Sequence, residues 1–207
     1  MRIMVKKVVT AAGILALMAF SSHAMADDHY AKAEGKSCEN NTGGMSFDEE
    51  FGAGAEKLTR CIEQRHKVKV VYQVNQFCRD DVALPECKRP YALGNIANAI
   101  KDYELNYGMK AGKDYEIVAV VTSGGGNLML QNQFARQGNQ FEGQVRDLMN
   151  KGVKFYFCQN TARSMMKKNQ ITPGQATTEI IPGIQFVTAG VTAMPDLVNK
   201  GYVLIQP

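Results

Sequence analysis

The sequence predicts an α/β protein: a parallel five-stranded sheet with helices on both faces. Three observations carry this. Five short apolar runs punctuate the chain from position 68 onward, stretches with apolar residues at helical spacing lie between the first three, and glycines stand where those helices should end. The first run, Val68 to Val74, is followed by Leu93, Ile96, Ile100, Tyr103 and Tyr107 on one helical face, with Gly108 placed as a carboxyl cap. The second, Tyr115 to Val121, is followed by Phe141, Val145, Leu148 and Met149 in the same spacing, ending at Gly152. The remaining strands are expected at Val153 to Phe157, Ile184 to Val187 and Tyr202 to Ile205. There is no internal repeat and no low-complexity tract.

What precedes the first strand is of another character. Residues 1–26 hold basic residues at 2, 6 and 7, an apolar stretch of 13 residues from Val8 to Phe20, and the small-residue ending Ala24-Met25-Ala26. This is the three-part pattern of a cleaved secretory signal, and the apolar stretch is shorter than the roughly 20 residues that span a bilayer. A mature chain starting at Asp27 is expected, in the periplasm or outside the cell. Residues 27–66 are polar and Gly-rich and form an accessory segment with one helix, signalled by Ser46 and Glu49 as a capping box and by Phe47, Phe51, Leu58 and Ile62 on one face. Residues 67–207 form the α/β domain.

Charge narrows the function. Lys and Arg number 24 against 20 Asp and Glu, but the signal accounts for three of the basic residues, so the mature chain stands at 21 against 20. With no Lys/Arg cluster beyond Lys167-Lys168, no nucleic-acid partner is expected, and no membrane partner after signal removal.

An open parallel sheet binds ligands beyond the carboxyl ends of its strands. Three segments should meet there: Asn75 to Arg89 after the first strand, Thr122 to Asn127 ("TSGGGN") after the second, and Cys158 directly after the third. Asn160 or Thr161 is placed to cap a helix running toward Lys168, which sets Cys158 just ahead of a helix amino end. There, unpaired N–H groups favour the thiolate, and Arg163 one turn on is expected to add positive charge. The opposing reading makes Cys158 an ordinary buried small hydrophobe. Cysteine arithmetic bears on the choice. Of five cysteines, Cys78 and Cys87 bracket a short Pro-containing loop, and Cys38 and Cys61 are available to each other. Four cysteines allow three connectivities, and in each Cys158 is left over. A Cys78–Cys87 bridge would stabilise the fold by about 2 to 3 kcal/mol.

Other chemistries find little support. Outside the signal only His29 and His66 remain, neither placed near Cys158, which disfavours a Cys-His nucleophile pair. No metal-ligand spacing and no haem-attachment motif exist, so neither metal nor cofactor is expected. Gly124, Gly125 and Gly126 either let backbone amides approach an anion or make a turn; lacking both the dinucleotide and the Walker pattern, they read as a turn. Asp80, Asp81 and Glu86 read as a solvated loop, and Met165-Met166 as helix packing.

From about Lys67 to Gln206 the chain resembles the DsrE/DsrF-like family. The likeness lies in the opening "KVVYQVN" strand, "NIANAIKDY", "YEIVAVVTSGGGNLML", "GVKFYFCQNTAR" with its cysteine, and the ending "IQFVTAGVTAMPDLVNKGYVLI". The resemblance implies a flavodoxin-like three-layer sandwich, a homotrimer or homohexamer, and a cysteine at position 158 that accepts and passes on sulfur as a persulfide. The export signal, the amino-terminal segment and the insertion at 78–87 depart from the family pattern.

The leading functional expectation is an exported sulfur carrier or sulfurtransferase. In it Cys158 takes up sulfane sulfur, with Gly124, Gly125, Gly126, Asn127, Asn160 and Arg163 around it, and exchanges with small sulfur species or a donor or acceptor protein. The clipped loop at 78–87 is expected to act as a lid over the thiol. The alternatives are a non-catalytic oligomeric module that binds a ligand or partner, and a thiol-disulfide exchange protein with Cys78 or Cys87 as resolving partner.

Overall fold

The computed structural model describes residues 67–80 and 86–207, all within one compact unit. The signal, the accessory helix, the Cys38–Cys61 pairing, Asp81 and both remaining histidines lie outside the described residues.

Five parallel strands form one sheet: β1 (Val68–Val74), β2 (Tyr115–Val121), β3 (Lys154–Cys158), β4 (Gln185–Val187) and β5 (Val203–Ile205), in the order β4-β3-β2-β1-β5. The three central strands are apolar along most of their length because both faces are covered, as parallel sheets require. Register aligns their exits. Val74 pairs with Val121, Val121 with Phe157, and Cys158 with Val187, so the residues that follow these strands emerge along one edge.

One face carries α1 (Leu93–Lys101), α2 (Glu142–Asn150), α3 (Gln159–Lys167) and the short α4 (Ala176–Glu179). Leu93, Ile96 and Ile100 of α1, Val145 and Leu148 of α2, and Ala162 and Met165 of α3 bury against Val74, Ile117, Ala119, Phe155 and Phe157. Helix α1 continues as a five-residue π-helical turn, Asp102–Asn106, and closes as expected at Gly108, whose φ of 62° is the left-handed cap conformation; the Met109 N–H donates back to the Tyr103 carbonyl at 2.9 Å.

Among the described residues the opposite face carries one helix, α5 (Gly190–Asn199), whose Met194 and Leu197 pack on Val71, Val118, Val120 and Tyr202. Its sequence argues against a helix. Gly190 opens it and Pro195 stands inside it, where a proline removes one i→i−4 hydrogen bond. The carbonyl that loses its partner belongs to Val191, a residue 74 % exposed at the surface, where water can take the place of the missing donor.

This arrangement decides where a ligand sits. The chain leaves β1, β2 and β3 toward the first face, but leaves β4 toward the second, through α5. The gap between β3 and β4 is therefore the topological switch point, the crevice where open α/β sheets bind ligands. Cys158 ends β3 and Gly190 follows β4.

Candidate functional site

A cleft of about 640 Å³ opens at that crevice. Gln73 and Asn75 leaving β1, Ser123, Gly124 and Asn127 after β2, Cys158 with α3, and the first turn of α5 line it. Its walls mix neutral amides and hydroxyls with the apolar side chains of Met165, Ala189, Val191 and Met194, and Lys168 is the one charged side chain among the described lining residues.

Cys158 sits on the floor. It is 5 % exposed, yet it lines the cleft, so the little surface it retains faces the cavity. It is the free cysteine among the described residues. Helix α3 starts earlier than the sequence suggests: Cys158 itself occupies the cap position in extended conformation (φ −69°, ψ 120°), one residue ahead of Gln159. Asn160 and Thr161 are thereby inside the first turn, with their amides directed at the sulfur.

Two helix amino ends converge on this atom. The Gly190 N–H at the start of α5 donates to Cys158 Sγ at 3.4 Å, across the sheet edge from α3. Burial pushes the thiol up, but the amides of Thr161, Gly190 and Asn160 and the Thr161 hydroxyl together outweigh it and hold Cys158 below the ordinary thiol value. Thr161 is oriented for this role. Its Oγ1 accepts the Ser123 N–H at 2.9 Å, which leaves its own O–H free to donate toward the sulfur. Ser123 holds this position at a left-handed φ of 47°, a conformation costly for a non-glycine residue and typical of sites where surrounding contacts over-determine the backbone.

The glycine run serves this geometry indirectly. Residues Ser123–Met129 form a 3₁₀ helix pressed onto the end of β1. A Cβ on Gly125 would lie 2.4 Å from the Val74 carbonyl oxygen, so only glycine allows the approach. Gly125 and Gly126 are buried and do not line the cleft, whereas Gly124 and Asn127 do. Gly190 makes a second such approach: a Cβ there would meet Thr122 Cγ2 at 2.3 Å, which would move the α5 amino end off the sulfur.

Several expectations are corrected. Arg163 does not face the thiol. Five residues past Cys158 it lies about 140° around the helix, donates to Asn160 Oδ1 at 2.9 Å and Gln159 Oε1 at 3.3 Å, and lines no part of the cleft. The clipped loop is not a lid in any of its described residues. Phe77–Asp80 and Glu86–Pro90 line none of the cleft. Cys78 and Cys87 are joined as a disulfide with Cα atoms 5.7 Å apart, and both turn into the core at 3 % and 1 % exposure. Asp80 is engaged by Arg89 at 2.8 Å on the surface.

Sequence reasoning missed Gly190, placed Thr122 at the site only as the first residue of the segment after the second strand, and named Thr161 only as a cap. A backbone amide has no side-chain signature, and Gly190 becomes visible only once α5 is placed. No group of residues suited to hold a metal ion occurs among the described residues, and no described helix is long and apolar enough to cross a membrane.

A five-stranded parallel sheet with a cysteine at its switch point defines an α/β protein whose site is built around one sulfur. The family model for the DsrE/DsrF-like family matches residues 79–207, more than half of the chain, and the chain belongs to that family. Membership is consistent with a sulfur-relay role. Among solved structures that match is a protein of unknown function from Methanobacterium thermoautotrophicum, 22 % identical, with a TM-score of 0.49, covering 68 % of this chain and 99 % of that one. No curated protein matches.

Proposed function

We propose that this chain is an exported sulfur-handling protein in which Cys158 accepts sulfane sulfur and passes it on. The observation that carries the reading is the convergence of the Gly190, Thr161 and Asn160 amides on one unpaired sulfur at the floor of a cleft. Those donors favour the thiolate, which is the attacking species. They also favour the persulfide anion formed when the transferred sulfur gives its proton to solvent, since that charge stays near the same two helix ends.

In the transfer, the thiolate attacks the outer sulfur of a donor R–S–SH. The Sγ–S bond forms, the donor's S–S bond breaks, and its electron pair leaves on the inner sulfur as RS⁻. The terminal proton stays on the transferred sulfur, and no external oxidant or reductant is needed. The signal pattern at residues 1–26 and the Cys78–Cys87 disulfide support a periplasmic or secreted location, where disulfides persist. Family membership supports action with partner proteins and assembly into homo-oligomers.

A second reading, a binding module without transfer chemistry, draws on the low exposure of Cys158. Exchange between Cys158 and the 78–87 disulfide is disfavoured, because that disulfide is buried in the core and does not line the cleft.

Incubation of the full chain with inorganic polysulfide followed by intact mass decides between carrier and module. The carrier gains the mass of one or more sulfur atoms at Cys158, reversed by a reducing thiol, and Cys158→Ser gains none. An unmodified wild type, or equal gain by both proteins, rejects the carrier.

A further inference from the structure

Three features of the cleft remain unused by the chemistry at Cys158 itself. Asn75 lines the wall leaving β1, and its Oδ1 is buried with no hydrogen-bond partner. An orphaned acceptor of this kind costs about 1 to 3 kcal/mol until something donates to it; its oxygen has no accessible surface, so a turn of the Asn75 side chain into the cleft is what brings it to a ligand N–H. Second, Lys168 brings the cleft its one charge, and it takes part in no ion pair among the described residues. Third, a smaller depression of about 220 Å³ shares Asn127 and Gln170 with the cleft and leads to Arg136, which likewise has no ion pair among the described residues. The combined groove therefore runs from a sulfur, past amides and an acceptor without a donor, to two unengaged cations.

We propose that this groove takes a peptide-like low-molecular-weight thiol persulfide, with its sulfane sulfur at Cys158, an amide N–H on Asn75 Oδ1 and carboxylates at Lys168 and Arg136. The inference rests on the sulfur-carrier reading and names its donor. Inorganic sulfane donors have no N–H to satisfy Asn75 and are too small to reach Arg136 while touching Cys158. A peptide thiol offers all three groups in one chain. The chemistry is the transfer written above, with RS⁻ the free peptide thiolate, which leaves held by its carboxylates until they exchange with water.

The test compares two donors on the full chain, glutathione persulfide and inorganic polysulfide, reading initial rates of sulfur gain at Cys158 against donor concentration. Loading by glutathione persulfide is expected to saturate. Lys168→Gln with Arg136→Gln should raise its half-saturating concentration by about three- to tenfold, and Asn75→Ala should raise it by a similar factor, in each case by more than the same variant slows loading by polysulfide. Both cations are surface residues, so these variants keep the fold. Loading by polysulfide alone, or equal effects of the variants on the two donors, overturns the ligand assignment and leaves the carrier reading standing. Failure of the wild type to load from either donor overturns both.

Discussion

Among the described residues, two buried cysteine sites differ in what surrounds them. Cys78 and Cys87, at 3 % and 1 % exposure, lie in the apolar core beside residues such as Leu93 and Phe141, and their sulfurs are joined to each other. Cys158, at 5 %, is hardly more exposed, yet it faces N–H donors from α3 and α5 and an open cleft. Burial alone would assign all three the same role. The direction of the surrounding dipoles separates them: apolar neighbours leave a structural crosslink, while converging amides make a poised anion site.

The largest break in this comparison is chemical. Cys158→Ser should abolish sulfur gain completely, while Cys78→Ser with Cys87→Ser should keep it. The same double variant should lose about 2 to 3 kcal/mol of stability in urea unfolding, a loss Cys158→Ser should not share. If removing the disulfide also abolished loading in folded protein, the division of labour would be wrong.

Next in size is Gly190→Ala. Its Cβ would collide with Thr122 Cγ2 and shift the α5 amino end from the sulfur, so loading at neutral pH should slow about tenfold, by the loss of one charge-assisted hydrogen bond. Adding Thr122→Ala removes the obstructing methyl and should restore most of the rate. Equal rates for the single and double variants would show that the Gly190 amide is not the cause.

Thr161→Val keeps the shape of the side chain but deletes the hydroxyl donor, and it also orphans the Ser123 N–H. The thiol value should rise toward the ordinary one with the loss of that donor, read from the pH dependence of loading. An unchanged profile would remove the hydroxyl from the account.

The smallest effect is on stability. Because folding lowers the Cys158 value, the thiolate contributes stability that is fully present above the ordinary thiol value and is lost as pH falls through the lowered one. Wild type should therefore gain on Cys158→Ser as pH rises through that window, in denaturation midpoints measured at each pH. A constant difference would mean the folded environment does not favour the anion.

How much of this was legible in the sequence follows from what each feature depends on. Strands β1, β2 and β3 announce themselves because burial on both faces forces apolar runs, and their observed bounds differ by no more than one residue from those runs. Cys158 was found because a strand end followed by a helix start is a local pattern. Helix α5 was hidden by Gly190 and Pro195, both of which local rules read as breaks, although tertiary packing of Met194 and Leu197 stabilises it. With α5 unseen, its amide donor, the constraint at Thr122 and the switch point between β3 and β4 were unseen too. Arg163 was misplaced by counting one turn where the angle around the helix decides. The described residues of the clipped loop, Phe77–Asp80 and Glu86–Pro90, stand off the cleft because the disulfide turns into the core, a direction the sequence does not state.

The central claim, a reachable thiolate held by two helix ends, is tested most directly by alkylating the native full chain with iodoacetamide across pH and mapping the modified peptide. Modification at Cys158 with a midpoint below the ordinary thiol value is the predicted result. No modification of Cys158 in folded protein, or a midpoint at or above that value, would contradict it.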